Sequence, residues 1–528
     1  MFAQKLLELR KMRKISQETL AEQIGVSRQA IQKWEAGTSH PDSENLLALA
    51  RTLRVSIDAL LGNDSRSVEE LRLGRPLVPA YDDLHTWDAY QSQMRFEYRQ
   101  SYEEGKDIAS LEGLFREVGR LAPGPAKEQL ADALFGMILD APQRGDFPYE
   151  EPSDLEGIRR LCAPMALDAP VPPEPVLRDK LQGAWLGRIC GCLLGKPLEG
   201  MHTDVFVPML KASGNFPLRR YLAAADIREE DRETFRLDAK ARMLADRIDC
   251  APVDDDTNYT VLASELLERH GLTFTPGQVS QVWVALQSKN AYCTAERVAF
   301  RNFVAGYRPP DSAVYKNPYR EWIGAQIRAD YFGYVNPGDP LTASDMAWRD
   351  ASISHVKNGI YGEMFVAAML ACAAVSGDRM TVLRCGLSYV PQTSRFYERV
   401  SAILEGFEKG VSSEDCFADI HRRYDEHDAH DWCHTISNAE ICAAALLYGQ
   451  GDYGASICMA VQCGFDTDCN GATVGSVLGM LYGRGAIGAA WSAPIRDTLD
   501  TSIFGVGKVT VPDMVEKTLR HIGWKRER

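Results

Sequence analysis

Apolar residues recur at helical spacing from the start of the chain: Leu6, Leu9, Ile15, Leu20, Ile24, Ile31, Trp34, Leu46, Leu49, Leu53 and Leu60. Cap and turn residues cut this pattern into pieces. Ser16 before Gln17-Glu18-Thr19 has a capping-box pattern, and Gly25-Val26-Ser27 reads as a tight turn. Ser27 then caps a helix from Arg28 to Glu35, which Gly37 ends. Asp42 or Ser43 starts a fourth helix and Ser56 a short fifth. Between Asp82 and Leu139 the positions of Trp87, Tyr90, Met94, Tyr98 and Tyr102 predict two or three helices with no evident chemistry. Asn63 to Ser67 is polar and reads as a linker. Pro152 and the run Ala169-Pro170-Val171-Pro172-Pro173-Glu174-Pro175 read as an extended boundary, because proline is excluded from helix interiors.

Two later helical stretches carry glycine at every fourth position: Gly183, Gly187, Gly191 and Gly195, then Gly471, Gly475, Gly479 and Gly483. On a helix each set forms one stripe. An interior glycine costs roughly 0.8–1 kcal/mol against alanine, so a stripe needs a return such as very close helix approach. The pattern predicts two helices packed backbone to backbone at the centre of an all-α domain. Pro197 ends the first and leaves Glu199 in the loop that follows.

Composition adds limits. The 528 residues are 45% hydrophobic and 25% charged, an ordinary soluble globular balance for about two to four domains. No apolar run reaches bilayer length, and the first residues lead into a polar amphipathic helix rather than a signal peptide. Thirteen cysteines without zinc-type spacing are expected to be reduced thiols in the cytoplasm. The formal charge is −14, yet residues 1–62 are slightly basic. An acidic remainder argues against broad nucleic-acid binding by the larger part and leaves that role to the first.

Two acidic stretches carry the candidate chemistry. Asp254-Asp255-Asp256-Thr257 precedes the helical pattern of Tyr259 to Leu267, so its carboxylates sit at a helix N-terminus. Capping explains one or two of them; three in a row repel, and a cation would relieve the repulsion. Far downstream, Gly464-Phe465-Asp466-Thr467-Asp468-Cys469-Asn470-Gly471 places two carboxylates before the second glycine helix. An EF-hand is excluded because its twelfth position would be Val477 rather than glutamate. Sites built from carboxylates alone suit hard ions such as Mg²⁺, Mn²⁺ or Ca²⁺. His434 and Asn438 precede an alanine-rich helix and read as caps, and Arg328 as a surface ion-pair residue.

Residues 5–61, through Ser27-Arg28-Gln29-Ala30-Ile31-Gln32-Lys33-Trp34-Glu35, resemble the Cro/C1 (Xre-type) repressor family. That resemblance implies that residues 28–35 enter the major groove of a double-stranded operator. Arg28, Gln29, Gln32 and Lys33 would face base edges or phosphates, Ser27 would sit at the helix start, and Gln17 would face the backbone. One module reads a short half-site, so a homodimer is expected.

Gly183 to Glu199, Asp255-Asp256-Thr257 and Gly464 to Asp468 occur in the order found in the ADP-ribosylglycohydrolase family, which residues 150–528 resemble. The resemblance implies a compact all-α domain with two Mg²⁺ ions (Mn²⁺ as a substitute). The candidate ligands are Asp254, Asp255, Asp256, Asp466, Asp468 and Cys469. Glu199 is the first candidate for the catalytic carboxylate and Asp254 the second; His355 and Asn470 are candidate substrate-binding residues. The chain departs from the family pattern at Asp254 and Cys469, where a hydroxyl residue is usual, at Cys192, where aspartate is frequent, and across residues 290–355, which read as an insert shaping the pocket.

The expected organisation is a five-helix DNA-binding domain at 1–62, a linker and helical connector at 63–150, and a catalytic domain at 151–528. The expected activity is Mg²⁺-dependent hydrolysis of the ribosyl glycosidic bond in an ADP-ribosylated protein or small conjugate, with no membrane partner. Two alternatives stay open: a regulator that senses an ADP-ribose-like or nucleotide ligand without turnover, and a hydrolase of another N-riboside.

Overall fold

The computed structural model describes residues 2–62 and 77–526, so the stretch read as a linker lies outside the described residues. The chain divides into two compact units, Met1–Asp83 and Leu84–Arg528.

Among residues 2–62 the first unit holds five α-helices: α1 (Phe2–Met12), α2 (Gln17–Ile24), α3 (Arg28–Glu35), α4 (Ser43–Leu53) and α5 (Ile57–Leu60). Each start after the first is capped by a side chain: Ser16 accepts from the Thr19 amide, Ser27 from Ala30, Asp42 from Asn45 and Ser56 from Ala59. Gly25 ends α2 at φ 74°, a left-handed conformation that glycine adopts without strain. Leu6, Leu20, Ile31, Leu49, Leu53 and Leu60 close a single small core, as their spacing predicts.

The second unit is all-α apart from a two-residue ribbon pairing Thr498–Leu499 with Val509–Thr510. At its centre the helices Glu174–Gly195 and Thr467–Tyr482 run antiparallel in direct backbone contact. A Cβ on Gly183, Gly187 or Gly191 would strike the carbonyl of Gly479, Gly475 or Gly471 respectively, and one on Gly195 would strike the backbone of Thr467. The glycine stripes are therefore the contact itself. Lys357–Ala373 and Thr435–Tyr448 pack on the late glycine helix and are buried over most of their length. Helices of this kind are apolar on every side, so they show no amphipathic stripe.

Residues 94–140 supply three helices, Met94–Glu103, Glu112–Arg120 and Pro125–Asp140, with a small core of their own. The first is fastened to the body by charge. Buried Arg320 pairs with Glu97 at 2.8 Å and Glu104 at 2.5 Å, and Gln100 Nε2 donates to Glu321 Oε2 at 2.6 Å. Within the segment 290–355 read as an insert, every residue from 317 to 337 is buried. Arg328 is not a surface residue either. It is 2% exposed, paired with Glu296 at 2.6 Å and Asp350 at 2.5 Å, and lies over the rings of Trp283 and Tyr259. No helix among the described residues is long and apolar enough to cross a membrane.

Candidate metal centre and DNA interface

The antiparallel glycine contact decides where the acidic residues meet. Gly195 ends one helix opposite Thr467, at the start of the other. Thr467 Oγ1 donates to the Gly195 carbonyl at 2.9 Å, joining the two ends. Lys196 and Glu199 on one side therefore face Asp466 and Asp468 on the other. Asp254 caps the helix Asp255–His270, its Oδ1 accepting from the Asp256 amide at 2.9 Å, and brings the third carboxylate group alongside.

The cluster is built in two overlapping groups. Ligand atoms of Cys192, Asp254, Asp256 and Asp468 lie within 4.8 Å of one another, as do those of Asp466, Asp468 and Cys469. Asp254, Asp256, Asp466 and Asp468 are all at most 5% exposed. Glu199, with 38% of its side chain exposed, and half-buried Asp255 form the open edge. Lys196 Nζ lies 2.6 Å from Asp254 Oδ2, 2.7 Å from Glu199 Oε2 and 3.2 Å from Asp468 Oδ2. Arg188 pairs with Asp256 at 3.1 Å and Asp330 at 2.8 Å and donates to the Asp256 and Ile327 carbonyls.

Removal from water and crowding of like charge set the proton affinities here. Burial, reinforced by Asp254, pushes the Asp255 carboxyl up to about 7; burial, with Glu199 and Asp255 nearby, does the same to Asp466. Glu199 is raised to about 7 by burial and Asp468. Burial works against ionised Asp254 as well, but Lys196 outweighs it and holds that carboxyl below its usual range.

The donor chemistry fits a hard divalent cation. Asp256 Oδ2 and Asp468 Oδ1 are buried oxygens with no hydrogen-bond partner, and an uncompensated buried carboxylate oxygen is costly. Cys192 and Cys469 are thiols whose proton burial holds well above the ordinary range, and neutral sulfur is a poor ligand for such an ion.

Among the remaining sequence candidates, Asn470 turns inward: its Nδ2 donates to Asn438 Oδ1 at 2.8 Å and its Oδ1 accepts from Cys442. His355 is fully buried, with Nδ1 against Ser354 Oγ at 2.9 Å and Nε2 unpartnered, 3.9 Å from Glu296. His434 is the cap expected of it, accepting from the Ile436 amide. Asn438 is more than a cap. Its Oδ1 accepts from the Asp466 amide at 3.2 Å as well as from Asn470, while its Nδ2 donates to the Trp432 and His434 carbonyls. The sequence signal was an Asx residue one helical turn inside a buried helix, which fits a loop clamp as well as a cap.

A second group of possible ligands, Glu103, His430 and His434, fails on proton position. The Trp322 indole only donates, so His430 Nδ1 accepts from it at 3.2 Å; His434 Nδ1 accepts from a backbone amide. In each neutral ring Nε2 then carries the proton and has no lone pair for a metal.

In the first unit, α3 turns Ile31 and Trp34 inward and leaves Arg28, Gln29, Gln32 and Lys33 exposed on one face. Ser27 caps it. Gln17 is half-buried and donates to Glu35 Oε2 at 2.7 Å, joining the Arg10–Glu35 pair that ties α1, α2 and α3 together.

A helix-turn-helix unit and an all-α unit with a carboxylate cluster at its centre define a DNA-binding module joined to a domain of glycohydrolase type. The chain belongs to the ADP-ribosylglycohydrolase family, whose model matches residues 173–522, and the helix-turn-helix model matches residues 6–60. HTH-type transcriptional activator BcrR of Enterococcus faecalis is 44% identical over 63 residues, 12% of this chain and 31% of that protein. Repressor protein C2 of Salmonella phage P22 is 47% identical over 55 residues, 10% of this chain and 26% of that protein. The chain thus spans about a third or less of these two relatives. An uncharacterized HTH-type transcriptional regulator, YobD of Bacillus subtilis (strain 168), is 36% identical over 94 residues, 17% of this chain and 81% of that protein. A solved structure described as an ADP-ribosylglycohydrolase-related protein complex has 18% identity and a TM-score of 0.40, covering 66% of this chain and 98% of that one.

Proposed function

We propose that the second unit is a Mg²⁺-dependent hydrolase of the ribosyl glycosidic bond in an ADP-ribosylated protein or small ADP-ribosyl conjugate, and that the first unit takes it to an operator. The observation that carries this reading is the cluster of partnerless buried carboxylate oxygens with one half-open glutamate, Glu199, at its edge. Magnesium held by Asp255, Asp256, Asp466 and Asp468 would supply Lewis-acid binding of ribose hydroxyl oxygens.

The chain's own groups account for the rest. Substrate approaches from the side of Glu199 and Asp255, because the other carboxylates are closed off. The bond from C1″ to the leaving atom breaks with its electron pair going to the leaving group, which takes up a proton from solvent water. Positive charge develops on the ribose as in other glycoside hydrolyses. Glu199, held by Lys196, steadies that charge and takes the proton of the water that adds to C1″. Asp254 is committed to the helix cap and to Lys196, so Glu199 is preferred for this role.

The test is release of ADP-ribose from a mixed set of ADP-ribosylated substrates by the full chain, with Mg²⁺ and with EDTA, beside Asp466→Ala/Asp468→Ala. Metal-dependent release, absent in the double variant, is expected. The second reading, a sensor without turnover, is favoured by the lysine seated among the carboxylates. It predicts no release while ADP-ribose still raises the melting temperature.

A further inference from the structure

The two oxygens of each carboxylate are not equivalent, and sorting them divides the cluster. Asp254 gives Oδ1 to the Asp256 amide and sets Oδ2 2.6 Å from the Lys196 ammonium, an ion-pair contact without hydrogen-bond geometry. Asp256 gives Oδ1 to Arg188 and keeps Oδ2 without a partner. Asp468 gives Oδ2 to Lys196 and keeps a buried, partnerless Oδ1. Among the described residues neither Asp255 nor Asp466 pairs with a lysine or arginine. The group Cys192, Asp254, Asp256 and Asp468 is therefore met by two side-chain cations, Lys196 and Arg188, whereas in the group Asp466, Asp468 and Cys469 only Asp468 meets one, through Oδ2.

We infer that Lys196 is a built-in cation that fills one of two cation positions, so that the cluster takes a single divalent ion, on the side of Asp255, Asp466 and Asp468 Oδ1. The inference rests on the metal reading above and narrows it. Three observations converge on it. The ammonium touches three carboxylates at 2.6–3.2 Å, a contact set like that of a bound ion. The backbone that carries it is fixed beside the cluster, because it follows Gly195, which is pressed against the backbone of Thr467. A dication placed beside an ammonium in a buried site meets repulsion that water does not screen. Asp254 then belongs to the lysine rather than to the metal: it is the anion that holds the built-in cation in place. Cys192, on the lysine's side, has no ion to ligate.

The experiment is a count of Mn²⁺ bound by the metal-stripped full chain, read from the free-ion electron paramagnetic resonance signal and by calorimetry. The variants are Lys196→Met and Lys196→Arg, each checked for fold by circular dichroism. The expected result is one ion per chain for the native protein and for Lys196→Arg, and two for Lys196→Met. Two ions in the native chain would overturn the inference and leave the metal reading standing. One ion in a folded Lys196→Met would overturn the lysine's part in the count. No ion in the native chain would overturn both. Should Lys196→Met not fold, the native and Lys196→Arg counts still decide between one ion and two.

Discussion

A single side-chain amide holds the late acidic loop in shape. Asn438 Oδ1 accepts from the Asp466 amide and from Asn470, so Asn438→Ala frees the loop that carries two of the carboxylates. Loss of groups that orient ligands typically costs 10–100-fold in metal affinity. Mn²⁺ titration of Asn438→Ala should show a loss of roughly that size with the fold retained; unchanged affinity would remove Asn438 from the site. Buried histidines give a second prediction at this scale. His521 is fully buried with Nδ1 2.7 Å from the Tyr331 hydroxyl, and burial lowers it to about 4. Its unfolded counterpart takes up a proton near pH 6.5, so the unfolded chain binds more protons between those values. The folded unit is at full advantage above pH 6.5 and loses stability as pH falls toward 4, by about 2 kcal/mol at pH 5 from this residue. Melting curves from pH 7.5 to 5 should be flatter for His521→Gln than for the native chain, and equal slopes would refute the assignment. Neither role was legible in the sequence, because an asparagine before an alanine-rich run and a lone histidine look alike whether or not they are clamped.

The two glycine helices were legible for a physical reason. Contact between backbones demands a missing Cβ at each turn, and that demand leaves a mark every fourth residue. Gly187→Ala pushes a methyl group into the Gly475 carbonyl and should destabilise the unit by about 3 kcal/mol, the upper range for overpacking. Gly136→Ala, in the helix Pro125–Asp140 with nothing within 4 Å of the new Cβ, should instead stabilise by about 0.5–1 kcal/mol. Denaturant melts of the pair check both signs; a neutral Gly187→Ala would mean the helices can part at no cost. The burial of residues 317–337 was not legible because they run in short helical and irregular stretches, too brief for a period to show. The helix Met94–Glu103 was seen as a helix but not as a fastened one. Its partners Arg320 and Glu321 lie more than two hundred positions away, and no local pattern reports such a pairing.

At the scale of the whole chain, the division of labour follows the charge. Residues 1–62 are slightly basic within a chain of formal charge −14. DNA affinity should therefore reside in the exposed face of α3. Arg28→Ala is expected to weaken operator binding and, where the contact is to a phosphate, to lower the salt slope by about one, without altering ADP-ribose release. Binding isotherms at several salt concentrations test this, and loss of hydrolysis in the variant would contradict the separation of roles. The two acidic loops were readable because each is written in contiguous residues. The place of Lys196 was not, because Asp254 and Asp468 come to it from two distant later stretches of the chain.

The glycine contact also poses a problem of alignment. A stripe that repeats every four residues looks the same after sliding by one repeat, about 6 Å along the axis. Such a slip would still seat glycine on glycine, yet it would carry Lys196 and Glu199 a full turn away from Asp468. The stripe works like a graduated scale without a zero mark. The zero is supplied at the ends: by the Thr467 hydroxyl on the Gly195 carbonyl, and at the far end by Lys180, whose ammonium donates to the Met480 and Leu481 carbonyls at 3.0 and 2.9 Å. Those two contacts mark the alignment that assembles the carboxylates and set it apart from one slipped by a repeat.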